Sequence, residues 1–236
     1  MTNFTFDPIS IKKYIMYEDK KIIAINKPEG LLTIPDGYQK NLPNLFNILK
    51  LFIPNLWIVH RLDKLTSGIV LFAKDPFVHK DLNFQFENRS IGKKYIAVTH
   101  GFPCWEEKMI DLPLRINGDR RHRTVIDEAR GKPARTKVTI IEKNERYSLL
   151  NIFPKTGYTH QIRCHLSSIG HLVLGDDLYR YFQFKDQKNT YKYPRLFLHA
   201  ESITFRLTGE SPQTIRANIP KSFYQNFLKR PNTSNY

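Results

Sequence analysis

Cysteine is nearly absent: Cys104 and Cys164 are the only two in 236 residues. Neither has a second cysteine at metal-binding spacing, so a disulfide framework and a cysteine zinc site are both excluded. Reducing surroundings such as the cytoplasm suit such a chain. Long apolar runs are also missing. None approaches the ~20 residues that cross a bilayer as a helix, which excludes a membrane-spanning helix. The opening stretch MTNFTFDPISIKK carries Asp7 and no apolar core, unlike a secretory leader. Glycine is sparse at 11 residues, and neither a G-x-G-x-x-G turn nor a phosphate-cradling loop occurs. No nucleotide cofactor is therefore expected. Repeats and Gly/Ser linkers are lacking too, which leaves one large domain or two closely joined ones.

Negative charge is in the minority. Asp and Glu total 22 against 37 Lys and Arg, for a net charge of +15. A field of that sign attracts polyanions and speeds their encounter. The densest stretch, Arg115 to Lys137, holds eight basic and three acidic residues. Charge alone also fits an ordinary solvated surface. Aromatic residues make up 13% of the chain and can stack on bases, so the expected partner is RNA.

Along the chain, residues 15–35 read as a strand, a turn at Asp19-Lys20 and a second strand, IIAIN, before Lys27-Pro28-Glu29-Gly30 breaks the pattern. Residues 41–55 have apolar positions at a helical period. LWIV (56–59) and GIVLFAK (68–74) are strand-like. Asp75-Pro76 opens a helix that runs to about Asn88, with a cap acceptor followed by proline at the first helical position. Tyr95–Val98 returns to strand, and residues 136–143 and 147–153 form a hairpin around Asn144-Glu145. Thr159–Ile169 reads as a helix ended by Gly170, FLHAESITFRL as a strand, and the last residues, 229–236, as a frayed tail. Strands dominate without regular strand–helix alternation. The expected class is α+β with a largely antiparallel sheet, not a doubly wound fold.

The segment His60-Arg61-Leu62-Asp63-Lys64-Leu65-Thr66-Ser67-Gly68 is polar and lies between two strand-like stretches. Short loops held by a rigid scaffold are where catalytic groups are usually placed, and Asp63 is flanked by the positive charges of Arg61 and Lys64. Taken alone, such an Asp equally fits a turn cap. HRLDKLTSGIVLFAK, however, resembles the catalytic segment of the RluA family of RNA pseudouridine synthases. Further segments follow in that family's order: Asn26-Lys27-Pro28-Glu29-Gly30-Leu31-Leu32, Lys94-Tyr95-Ile96-Ala97-Val98, Gly131-Lys132-Pro133-Ala134-Arg135-Thr136, Thr156 through Leu166, Gly175-Asp176 and Leu198-His199-Ala200. The resemblance spans roughly residues 15 to 220.

What it implies is an α+β pseudouridine synthase fold, a mixed, mostly antiparallel sheet with flanking helices and a central cleft, and the isomerisation of a uridine, rRNA being slightly favoured over tRNA. The resemblance gives Asp63 the role of essential carboxylate, as nucleophile or as base. It gives Tyr95 the role of a ring stacked on the target base, and Arg163 that of partner to the Asp63 carboxylate. Arg61, His60, Thr66 and Leu198 are expected to contact substrate, with Leu198 an apolar wall and Arg61 filling the gap left by the base. Arg120, Arg121 and Arg123 of the basic stretch are expected to hold RNA. One departure stands out. Tyr158 occupies the place where the family usually has Arg before Thr-His-Gln, which removes a potential phosphate contact.

Many relatives carry an N-terminal S4-type RNA-binding domain. The catalytic pattern here begins near residue 15, so no such domain is expected. The division expected is an extension over 1–14, a catalytic domain over 15–228 and the tail. Two other readings compete. His160, His165, His171, Asp176 and Asp177 suggest a metal site, but His160 and His165 diverge by about 140° around a helix where ligand pairs use i, i+4. A non-catalytic RNA-binding protein on the same fold is disfavoured by the presence of Asp63, Tyr95 and Arg163 together. No metal and no cofactor are expected, and a cytoplasmic monomer is.

Overall fold

In a computed structural model, residues 8–179 and 193–228 are described. The first part of the expected extension, residues 1–7, and the whole tail, 229–236, lie outside them. From the N-terminus, a 3-10 helix, Pro8–Tyr14, precedes β1 (Ile15–Glu18), β2 (Ile22–Lys27), α1 (Leu45–Lys50), β3 (Trp57–Ile58), β4 (Ser67–Ala73) and α2 (Pro76–Glu87). Then come β5 (Gly92–His100), β6 (Glu107–Asp111), β7 (Leu114–Arg115), β8 (Val125–Ile126), β9 (Arg135–Lys143) and β10 (Tyr147–Pro154). The last elements are α3 (Gln161–Ser168), β11 (Leu198–Phe205), β12 (Gln213–Arg216) and α4 (Lys221–Leu228). The chain divides into two compact units, Met1–Lys94 with His199–Asn218 and Tyr95–Leu198 with Ile219–Tyr236.

In the first unit the turn between β1 and β2 is closed by Asp19, whose carboxylate accepts the N–H groups of Lys21 and Ile22. Strand β2 pairs antiparallel with β4, as does β3, and β11 with β12. Strand β4 pairs parallel with β11 through Ser67–His199 and Gly68–Ala200. That parallel pair explains the glycine after Ser67. Gly68 has φ +115°, and a Cβ there would come within 2.2 Å of the Ala200 carbonyl oxygen. Every residue of β4 is buried, as expected for a strand covered on both faces. On one face Ile69, Leu71 and Ala73 join Ile22, Ala24, Ile203 and Phe205, and Leu82 brings α2 onto the same core. Asp75 caps α2 by accepting from the N–H groups of Phe77 and Val78, as its sequence suggests.

The second unit is an antiparallel sheet in the order β5-β10-β9-β6, with β7 and β8 a separate hairpin. At the β9–β10 turn, Asn144 accepts from the N–H groups of Arg146 and Tyr147. One face packs Ala97, Val138, Leu150 and Ile152 against Ile162 and Leu166 of α3. The other packs Ile96, Val98 and Leu149 against Phe197 and Phe223. The α+β class holds: a mixed, mostly antiparallel arrangement with few helices.

Several elements differ from expectation. The helix read over 41–55 is six residues long. Asn44 caps it, and the N–H groups of Leu45 and Phe46 are taken by the carbonyls of Leu32 and Thr33, so the chain before it is tied elsewhere. Strand β6 is missed by sequence pattern because only Ile110 of its five residues is buried. The 3-10 helix Pro8–Tyr14, assigned to the extension, buries Ile11. Among the described residues no helix is long and apolar enough to cross a membrane.

Candidate active site

Asp63 lies half-buried on the loop between β3 and β4, and the main chain on both sides of it is fixed. On one side the Thr33 hydroxyl donates to the Leu62 carbonyl (2.9 Å) and accepts the Leu62 N–H (3.1 Å). On the other the Lys64 carbonyl accepts the Gly30 N–H at 2.8 Å and the Lys27 ammonium at 3.2 Å. The Asp63 carbonyl itself accepts the Thr66 N–H (3.1 Å), closing a tight turn. Thus the segment Lys27–Thr33 grips the loop without using the Asp63 side chain. Lys27 is fully buried, and its ammonium also donates to the carbonyls of Pro28 (2.9 Å) and Leu31 (2.7 Å). A buried ammonium is tolerated because its hydrogens meet carbonyl oxygens. The family resemblance marks Lys27 as part of a motif. Its cage of carbonyls is visible only in the fold.

One neighbour of Asp63 serves the fold itself. His60 extends the β3–β4 ladder with its side chain: Nε2 accepts the Leu71 N–H at 2.9 Å, and the ring stacks on Phe86 at 4.9 Å. An accepting Nε2 must carry no proton, and burial together with the charge of Lys93 pushes the imidazole pKa down to about 3. Thr66 is buried inside the turn. Arg61, by contrast, is exposed. Ser67, next in sequence, bonds the buried Nδ1 of His199 at 2.8 Å.

In the second unit Tyr95 is half-buried on β5 opposite Ile152, and Leu198 is buried. The two share one apolar cluster with Ile162, the neighbour of Arg163. Arg163 is itself buried on α3. Its Nε donates to Asp176 at 2.7 Å and its Nη2 at 2.8 Å, a two-point clasp. In the sequence Asp176 stands in Gly175-Asp176 and among the possible metal ligands; its grip on Arg163 is visible only in the fold.

Helix α3 is anchored by a chain of donors. Gln161 Nε2 donates to the Thr136 hydroxyl (3.0 Å), Thr136 bonds His165 Nδ1 (2.8 Å), and His165 Nε2 meets the Leu112 carbonyl (3.0 Å). A carbonyl can only accept, so Nε2 carries the proton and Nδ1 accepts from Thr136. Desolvation holds the His165 pKa below its ordinary value. Of the residues that suggested a metal site, His165, His171 and Asp176 all serve such scaffold bonds. Tyr158, the departure from the family pattern, packs beside Cys164 and Tyr179.

The basic turn is built around Asp119, which accepts the N–H groups of Arg121 and Arg123. Arg120 and Arg121 are exposed. Arg123 corrects the expectation that it contacts RNA. Its guanidinium is buried, pairs with Asp119 and donates to the Leu178 carbonyl.

Comparison with known proteins adds to this geometry. A family model described as RNA pseudouridylate synthase matches residues 21–168. The chain is 34% identical over 194 residues to the dual-specificity RNA pseudouridine synthase RluA of Vibrio cholerae, covering 81% of this chain and 76% of that one. The enzyme of the same name from Escherichia coli K12 is 33% identical over 191 residues, covering 80% and 85%. Among solved structures, human RNA pseudouridylate synthase domain containing 4 superposes with a TM-score of 0.75 at 24% identity, covering 92% of each chain. Human RNA pseudouridylate synthase domain containing 1 gives 0.69 at 23% identity, covering 92% of this chain and 95% of that one. These two likenesses concern the fold.

Replacing Lys27 with Met leaves the Pro28 and Leu31 carbonyls without this donor and the Lys64 carbonyl with the Gly30 N–H alone. The expected cost is about 3 kcal/mol in urea unfolding, with a fall in turnover from the loosened loop. An unchanged unfolding midpoint would count against the cage.

The depressed pKa of His60 has a stability consequence. The unfolded chain binds its proton near the ordinary histidine value of 6.5 and the folded one only near 3, so His60 stabilises the fold above pH 6.5 and loses that contribution as pH falls toward 3. Urea midpoints should drop over that window, and His60→Gln should flatten the slope by about 1.4 kcal/mol per pH unit, the value for one proton. Equal slopes in the two proteins would show that His60 does not titrate as its burial demands.

Proposed function

Since the chain belongs to the RNA pseudouridylate synthase family, we propose that it isomerises a uridine in a stem-loop of rRNA or tRNA with Asp63 as the reacting carboxylate. The class of activity is settled by that membership: the protein is an RNA pseudouridine synthase, an isomerase. In the reaction the N1–C1′ bond breaks, the uracil turns and C5 bonds C1′. The hydrogen on C5 leaves and N1 takes up a proton, so nothing is oxidised or reduced. The base must first leave its stack, which costs a few kcal/mol.

The observation that carries the role of Asp63 is its loop. Hydrogen bonds to Leu62, Lys64 and its own carbonyl hold the backbone while the side chain stays half-exposed. A carboxylate held this way meets its reaction partner without reorganisation, as nucleophile or as base. In this reading Tyr95 offers its ring to the base, Leu198 bounds it, Arg163 partners the Asp63 carboxylate and Arg61 enters the space the base vacates. The catalytic domain spans 15–228, acts as a monomer and works in the cytoplasm, in keeping with two free cysteines.

For the substrate, rRNA is slightly favoured. The relatives' description as dual-specificity supports an enzyme that accepts more than one RNA. Arg120 and Arg121 supply positive charge for its phosphates.

Release of tritium from RNA labelled at uridine C5 tests the chemistry. Wild-type protein should release it from total rRNA or tRNA, and Asp63→Asn should cut the rate by at least about 100-fold. An inactive wild type that still binds RNA would favour a binding protein on this fold. The RNA contact has its own test. Arg120→Glu and Arg121→Glu should weaken binding and lessen the slope of log affinity against log salt by about 1 per lost contact. Slopes equal to wild type would remove these two arginines from the interface.

A further inference from the structure

Arg163 and the basic turn are parts of one hydrogen-bonded piece. Asp176, which clasps Arg163, also accepts the N–H groups of Leu178 (3.0 Å) and Tyr179 (3.2 Å) through Oδ1. The guanidinium of Arg163 lies over the Tyr179 ring, 5.3 Å from its centre. From this clamp two bonds cross to the turn. The Tyr179 hydroxyl donates to the Thr124 carbonyl at 3.0 Å, and Arg123 Nη1 donates to the Leu178 carbonyl at 3.0 Å. Thr124 then returns to the start of α3, its hydroxyl donating to the Thr159 carbonyl at 2.7 Å. Arg123 holds the other end, pairing with Asp119, the residue that shapes the backbone carrying Arg120 and Arg121.

Stability alone is a poor reason for this construction. Arg163, Arg123 and Asp176 are buried, and buried ion pairs are commonly no more stabilising than well-packed apolar side chains of the same size. What charged pairs of this kind do supply is a fixed geometry, because a guanidinium fork and a carboxylate meet in few ways. The turn is also held tightly. Gly118 donates to the Arg123 carbonyl and His122 to that of Asp119, with Asn117 and His122 both at positive φ. A surface turn that only attracted phosphates would need neither the rigid backbone nor the buried connections to α3.

We propose that Arg123 and Tyr179 are positioning residues: they fasten the clamp of Arg163 to the basic turn, so that RNA seated on Arg120 and Arg121 sets where the guanidinium stands. This rests on the reading above in which Arg163 serves the isomerisation and the turn holds RNA. It predicts a separation of effects. Loss of Arg120 or Arg121 acts on RNA affinity, whereas loss of the fastening acts on turnover of RNA already bound.

The informative variant is Tyr179→Phe, which removes one hydroxyl and keeps the ring beneath Arg163. Arg123→Gln, a harsher change at a buried site, accompanies it, with Arg123→Lys as the conservative variant. Each is measured for binding of a stem-loop RNA that wild type modifies, for kcat and KM in tritium release, and for thermal midpoint. Tyr179→Phe is expected to lower kcat about tenfold with KM and RNA affinity within twofold of wild type, at temperatures where both proteins are fully folded. Arg123→Gln should lower kcat at least as far, and Arg123→Lys, which can still reach one partner, should recover part of it. A wild-type kcat in Tyr179→Phe overturns the proposal, as does a loss confined to KM. A kcat loss that disappears on cooling in step with regained folding also overturns it, since the hydroxyl would then serve stability alone. Failure of the reading beneath looks different: wild type releases no tritium, or Arg120→Glu and Arg121→Glu leave RNA affinity intact, and either result overturns the coupling as well.

Discussion

The chemistry assigned to this protein depends on a main chain held from behind. Asp63 has a useful position because Leu62 is bonded to Thr33 and Lys64 to Gly30 and Lys27, bonds that fix the main chain on both sides of it. The cost is a fully buried lysine. An ammonium removed from water is unfavourable by several kcal/mol unless every hydrogen finds an acceptor. The carbonyls of Pro28, Leu31 and Lys64 are those acceptors. They exist only when the Lys27–Thr33 segment and the Asp63 loop have both taken their final shapes. The charge therefore makes the loop conformation specific, because any other arrangement strands it.

The second unit applies the same logic to a different group. Arg163 does not float on its helix. Asp176 holds two of its nitrogens, and the Tyr179 ring lies beneath it. Helix α3 is itself pinned by Gln161 and His165 through Thr136. The family's Thr-His-Gln-Ile-Arg segment is thus partly scaffold: Gln161 fixes the helix that presents Arg163, the candidate for chemistry. His60 makes the same point in the first unit. Its imidazole stands in for a backbone carbonyl, accepting the Leu71 N–H where β3 has stopped pairing with β4.

Much of the framework is legible in residue order because it rests on local physics. Asp19, Asp75 and Asn144 each close a turn or cap a helix with bonds to residues two or three positions away, and such bonds need no tertiary context. The apolar run of β4 and the hairpin of β9 and β10 are likewise read directly. Elements that depend on distant partners were harder. Strand β6 exists because β9 accepts it as an edge, and its own side chains face mostly water. Helix α1 is shorter than its apolar period suggests because Leu32 and Thr33 take its first N–H groups.

For the site, sequence by itself determined the chemical inventory: a carboxylate in a strand-bounded loop, an aromatic ring on β5, an arginine on α3, a surplus of positive charge, and the order of motifs that relates the chain to its family. It could not decide which polar side chains face inward. His60 and Arg123 carry the same kinds of atoms as a substrate-binding residue, yet each is occupied by the fold. The reason is that a hydrogen-bonding group is defined by its partner. The partners of Lys27, Arg163 and Arg123 come from main-chain carbonyls and a carboxylate that only the folded chain brings within reach.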